Sequence, residues 1–151
     1  MKEIIKKLTN IKNTILSEKS SGKLRFFGLI ARVDIDNKWD LLISADWIEK
    51  NSSEETLIYI IQKLKESFDG KLEFLSSIVL LTPKEAFVRQ LARGIISEGR
   101  GSYPMEIIDL KISADFTVKQ VFVIAMDFTG IDLALQELED GPVVIKDMNP
   151  F

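Results

Sequence analysis

The sequence predicts an α+β fold: one domain with a mixed sheet of about five to six strands packed against about four helices. Three observations lead there. Some segments space their apolar residues at helical intervals, while others concentrate β-branched and aromatic residues in short runs. The two kinds are interleaved in the order α-β-β-α-β-α-β-β-α-β. Finally, 151 residues with an apolar fraction of 46% suit a single core of ordinary size.

The elements follow in order. Ile4, Leu8, Ile11 and Ile15 recur among lysines and predict an amphipathic helix over residues 2–17, broken by Ser17 to Gly22. Leu24 to Val33 is rich in β-formers, Asp36-Asn37 suits a turn, and Trp39 to Ser44 returns as a second strand. Leu41, Leu42 and Ile43 make that strand apolar on both faces, as in a strand covered on both sides. Ser52 with Glu55 forms a capping box, Leu57 to Phe68 supplies an apolar helix face, and Asp69-Gly70 stops it. A third strand runs from Leu72 to Leu81. Thr82 as cap, Pro83 at the first helical position and Glu85 then predict a helix carrying Phe87, Val88 and Leu91 inward and Arg89 and Arg93 outward. Glu98 to Ser102 is a connection, with a candidate subdivision of the fold at 99–102. Strands at Glu106–Ile112 and Val118–Met126, a short helix at Ile131–Glu139 and a strand at Val143–Ile145 complete the chain.

Composition narrows the chemistry. The chain has no cysteine and no histidine, so thiolate nucleophiles, disulfides, imidazole bases and histidine metal ligands are all excluded. Catalysis would rest on carboxylates, Lys, Arg, Tyr or Ser, with a hard cation such as Mg²⁺ the natural helper. No apolar run approaches the roughly 18 residues of a membrane span, and the spaced apolar residues of the start do not form a leader. The expectation is therefore a cytoplasmic protein with no membrane association. Charge is uneven: residues 1–100 hold 17 basic and 14 acidic side chains, and residues 101–151 hold 3 and 9. The lysine-rich first helix is either a solvated face or a nucleic-acid surface. The acidic end, Asp132 through Asp140 and on to Asp147, is a complementary partner for it, within the molecule or on a second copy.

Four aspartates, Asp34, Asp36, Asp40 and Asp46, lie near one hairpin. Asp34, Asp36 and Asp40 are the candidate metal ligands, weighed against turn acids in water. Trp39 and Ala45 stand where an EF-hand loop from Asp34 needs glycine and glutamate, which excludes that motif. Arg89, Arg93 and Arg100, with Gly94, Gly99 and Gly101, form a candidate anion site, although no phosphate-binding glycine motif is present. Trp39 and Trp47 are candidates for a partner surface if exposed and for the core if not.

The stretch FFGLIARVDIDNKWDLLISADW, Phe26 to Trp47, also carries a resemblance. Gly28-Leu29-Ile30-Ala31-Arg32-Val33-Asp34 keeps Gly, Ala, Arg and Asp at the spacing of a G-S-x-A-R-G-D motif. Lys38-Trp39-Asp40-Leu41-Leu42-Ile43 parallels a D-x-D-L-L-V strand. Ile78-Val79-Leu80-Leu81-Thr82-Pro83 parallels a strand bearing a third acid. In these motifs and in element order, residues 1–100 resemble minimal nucleotidyltransferases, whose acids bind the metal ions that align nucleotide and hydroxyl. The chain departs where that chemistry resides. Leu29 stands for the serine that helps hold the triphosphate, Lys38 for the first acid and Val79 for the third. An ammonium at a ligand position repels a cation.

The leading expectation is a non-catalytic binding or protein-partner module, without a cofactor, on a degenerate nucleotidyltransferase-like scaffold. The alternatives are a Mg²⁺-dependent nucleotidyltransferase or other carboxylate- and metal-dependent enzyme, and a nucleic-acid-binding accessory protein. A protein partner or a homo-oligomer is expected with the first.

Overall fold

The computed structural model describes residues 1–19, 22–48, 53–99, 101–133 and 148–150. The elements are α1 (Lys2–Glu18), β1 (Leu24–Ala31), β2 (Trp39–Ala45), α2 (Ser53–Phe68), β3 (Leu75–Leu81), α3 (Ala86–Ser97), β4 (Met105–Ser113), β5 (Phe116–Met126) and β6 (Met148–Pro150). The strands form one mixed sheet in the order β4-β5-β1-β2-β3-β6. Among the described strands only β2 and β3 pair in parallel, as their crossover through α2 requires; the other neighbours are antiparallel. This is the predicted α+β class with its mixed sheet. Among the described residues none of the helices is long and apolar enough to cross a membrane.

Helices cover both faces of the sheet. On one side Leu8, Ile11 and Ile15 of α1 and Ile60, Leu64 and Phe68 of α2 pack on Phe27, Leu29, Leu41, Ile43, Ile78 and Leu80. On the other, Phe87, Val88, Leu91 and Ile95 of α3 pack on Phe26, Leu42, Val79, Leu110 and Val121. Each such side chain contributes about 1.5–3 kcal/mol on burial. Covering on both sides explains why β2 reads as a continuous apolar run. The close approach of α3 depends on Gly94, where a Cβ would sit 2.8 Å from the Lys111 carbonyl oxygen.

Irregularities in the ladders set where side chains point. The β1–β2 register shifts between Leu24 and Phe26, which leaves Arg25 as an extra residue in β1. The β1–β5 register shifts between Phe27 and Gly28, and there the Phe122 carbonyl crowds Gly28. In β4, Asp109 adopts φ +54, and the strand changes phase there so that Ile107, Leu110 and Ile112 all face the core.

Several boundaries differ from the sequence reading. β3 starts at Leu75, because Leu72 to Phe74 form a turn closed by Leu75 N–H donating to the Leu72 carbonyl. α3 starts at Ala86 with Glu85 as N-cap and no side-chain cap, while Glu85 N–H donates to the Thr82 carbonyl. The Thr82-Pro83 signal thus makes a turn, and the predicted capping box does not form. Residues on either side of 99–102 share one sheet, since β5 pairs with β1. Residues 131–133 are not helical. The rest of the predicted fourth helix, the strand at Val143–Ile145, the cap at Ser52, and Arg100 all lie outside the described residues.

Candidate functional site

The antiparallel β1–β2 pair has two ends, and each gathers charge. The hairpin end holds the predicted metal candidates. Arg32 N–H donates to the Lys38 carbonyl at 3.0 Å and closes the connecting loop. The Arg32 guanidinium then grips Asp34 through two hydrogen bonds of 2.8 Å. It also lies 3.7 Å from Asp40 Oδ1. Asp40 is 8% exposed and accepts a 2.5 Å hydrogen bond from the Ser77 hydroxyl on β3. Burial pushes the Asp40 carboxyl above the usual carboxylate range, opposed by Ser77 and by Arg32. The hydrogen bond from Arg32 holds Asp34 below that range, and the same contact raises Arg32.

Arg32 therefore supplies the positive charge that a cation would bring between Asp34 and Asp40. Asp36 is exposed on the loop and takes no part in this cluster. The Lys38 ammonium reaches the Glu73 carbonyl. Among the described residues no three His, Cys, Asp or Glu side chains gather to hold a metal. Leu29 and Val79, at the positions where the resemblance calls for a serine and an acid, are fully interior. Gly28 is held by packing, since an added Cβ would meet the Phe122 carbonyl oxygen at 2.5 Å.

At the opposite end lies a cleft of about 560 Å³. It sits outside the carboxyl ends of β2 and β3, the usual place for ligands in sheets with parallel strands. Arg25, Asp46 and Ile48 line it from the ends of β1 and β2. Thr82, Pro83 and Lys84 line it from the turn after β3, Arg89 from α3, and Gly130, Ile131 and Asp132 from the segment after β5.

The bulge at Arg25 builds one wall. Its guanidinium donates to Asp46 Oδ1 at 2.7 Å and Oδ2 at 3.1 Å, and to the carbonyls of Asp127 at 3.2 Å and Thr129 at 2.7 Å. Asp46 also accepts from the Lys23 N–H at 3.0 Å. Arg25 in particular holds the Asp46 carboxyl below its usual range. One buried arginine thus ties the segment after β5 to the ends of β1 and β2 and fixes the mouth of the cleft. Ile48 and Pro83 are buried and Ile131 is half-buried, which makes part of the lining apolar.

Of the predicted anion residues, Arg89 and Arg93 lie on α3 and Arg100 lies outside the described residues. Arg89 is half-buried at the cleft; Arg93, one turn on, is half-buried but does not line it. Neither projects freely outward, because α3 buries a face wider than its apolar spacing implies, including Gln90 and Ala92. The tryptophans separate. Trp39 is 7% exposed and stacks obliquely on Phe122 at 5.3 Å, so it belongs to the core and forms no partner surface. It opens β2 on the face covered by α1 and α2, where a large ring fills space between layers. Trp47 is half-buried at the margin of the same core, with the Lys19 ammonium 5.8 Å from its ring. The basic α1 lies beside α2, which brings three glutamates to two lysines and dilutes its charge.

No protein-family model matches the chain, nor does any curated protein or solved structure.

Sequence reasoning missed the cleft. Arg25 and Asp46 are 21 residues apart, so no local spacing joins them. The available signal was a charged residue inside a β-forming run, Lys23-Leu24-Arg25-Phe26-Phe27, which in retrospect marks the bulge.

Proposed function

We propose that this protein is a non-catalytic binding module on a nucleotidyltransferase-like scaffold, and that it takes a small ligand in the cleft beyond β2 and β3. The carrying observation is the division of labour between the two ends. The residues that resemble catalytic motifs are tied to one another by Arg32 or sunk in the core. The cleft of about 560 Å³ mixes apolar walls with a few polar groups, the usual character of a ligand site. The element order α1-β1-β2-α2-β3-α3 supports the scaffold half of the reading.

The test is a titration with Mg²⁺ and each nucleoside triphosphate, following pyrophosphate release and group transfer to added alcohols. The proposal expects neither. Transfer that depends on Asp40 would refute it. In parallel, amide shift mapping against a fragment library is expected to locate binders around residues 46–48, 82–89 and 130–132.

A further inference from the structure

Resting on that reading of the cleft, the geometry points to a ligand class: we infer that the cleft binds a small neutral molecule with a hydroxyl or amide head group, and that Ser44 and Gln90 recognise that head. Ser44 on β2 is 0% exposed and Gln90 on α3 is 4% exposed. Among the described residues, Ser44 Oγ and Gln90 Oε1 have no hydrogen-bond partner. Such atoms weaken a fold, and functional sites are where proteins keep them. Both lie one step inward from the wall of the cleft. Ser44 pairs in register with Phe26 and with Leu81, and their chain neighbours Arg25 and Thr82 line the cleft. Ser44 alternates with Ile43 and Ala45, which face α1 and α2, so its side chain points with Leu42 into the layer under α3. Gln90 follows the lining residue Arg89 and belongs to the buried face of α3. The two atoms therefore share the layer between sheet and α3, at the end where the cleft opens.

Chemistry selects the head group. Gln90 Oε1 only accepts, whereas the Ser44 hydroxyl both donates and accepts. A hydroxyl, or an amide with an N–H beside its carbonyl, satisfies both at once. An ionised carboxylate has no proton for Gln90, and burying its charge in an apolar layer is costly. The cleft of about 560 Å³ accommodates the rest of a small molecule. The low exposure of Ser44 and Gln90 means that the head is inserted past the lining, not laid on it.

The test titrates ¹⁵N-labelled protein with benzyl alcohol and benzamide, and with ethylbenzene and acetophenone, which keep the two shapes but cannot donate. The expected result is amide shifts at residues 43–45 and 89–91 together with the lining at 46–48, 82–84 and 130–132. Benzyl alcohol should bind at least about tenfold more tightly than ethylbenzene, and benzamide than acetophenone. Ser44→Ala and Gln90→Leu should each remove most of that preference and leave the urea midpoint of the free protein unchanged or higher. A purely structural role, such as holding an internal water, gives the opposite: a lower midpoint with the preference intact. That result, or equal binding of each donor and its partner, sinks the assignment to Ser44 and Gln90 while the cleft reading stands. If no compound shifts the cleft, both fail.

Discussion

The two ends of β1 and β2 use the same materials to opposite effect. At the hairpin end Arg32 lies between Asp34 and Asp40, and among the described residues no three acidic side chains gather there. At the other end Arg25 and Asp46 also neutralise each other, but the pair serves as a wall, and beyond it a cleft remains. An arginine paired with an aspartate therefore says little about function. What matters is whether the pair fills the space or frames it. The frame needs a bulge to aim Arg25 and a segment after β5 for it to hold.

The largest effect expected from breaking this contrast is at Arg25. Arg25→Ala leaves the Asp46 carboxylate and the Asp127 and Thr129 carbonyls without their donor, and should cost about 2–4 kcal/mol in urea denaturation. Arg25→Lys should recover little of it, because an ammonium cannot reproduce the forked contact. Next is Gly28→Ala, which drives a Cβ into the Phe122 carbonyl and the Phe26 ring and should cost about 1–3 kcal/mol. That loss in a chain with no ligand present would show that Gly28 is kept for strand packing.

The pH dependence of stability should differ in sign between Asp46 and Asp40, with Asp34 following Asp46. Asp46 ionises more readily in the fold than in the unfolded chain. Its stabilisation is complete above the ordinary carboxylate value of about 4 and is lost as pH falls below it. Asp40 holds its proton more tightly in the fold, so stability falls as pH rises through the range just above that value and then levels off. Asp46→Asn should flatten the acid limb of the stability profile. Asp40→Asn, which keeps an acceptor for Ser77, should remove the opposing slope and leave the protein at least as stable as the parent at neutral pH. The smallest effect is at Asp109, where Asp109→Gly relieves a left-handed residue and should change stability by less than about 1 kcal/mol, in the favourable direction.

How much of this was legible depends on the range over which each feature is encoded. β1, β2 and α2 were readable because periodicity and apolar runs are local, and the two-sided burial of β2 follows from Leu41, Leu42 and Ile43 alone. The start of α3 was misread because Thr82, Pro83 and Glu85 suit a helix cap and a turn alike, and the Glu85 N–H donating to the Thr82 carbonyl closes the turn. The acids of the hairpin drew attention because they are close in sequence, yet their partner is Arg32 and their hydrogen-bond donor Ser77 comes from β3. Trp39 gave no local sign of which side of the sheet it faces; Phe122, far along the chain, settles it. The cleft was illegible because its walls come from four separate stretches that only the sheet order brings together.

The most direct test of the central contrast is paramagnetic mapping with Mn²⁺, a cation that broadens amide resonances near wherever carboxylates hold it. If Arg32 already satisfies the hairpin acids, residues 32–40 should lose no more intensity than other exposed segments. Selective loss at Arg32, Asp34 and Asp40 at micromolar Mn²⁺ would mean that the hairpin end is a working metal site.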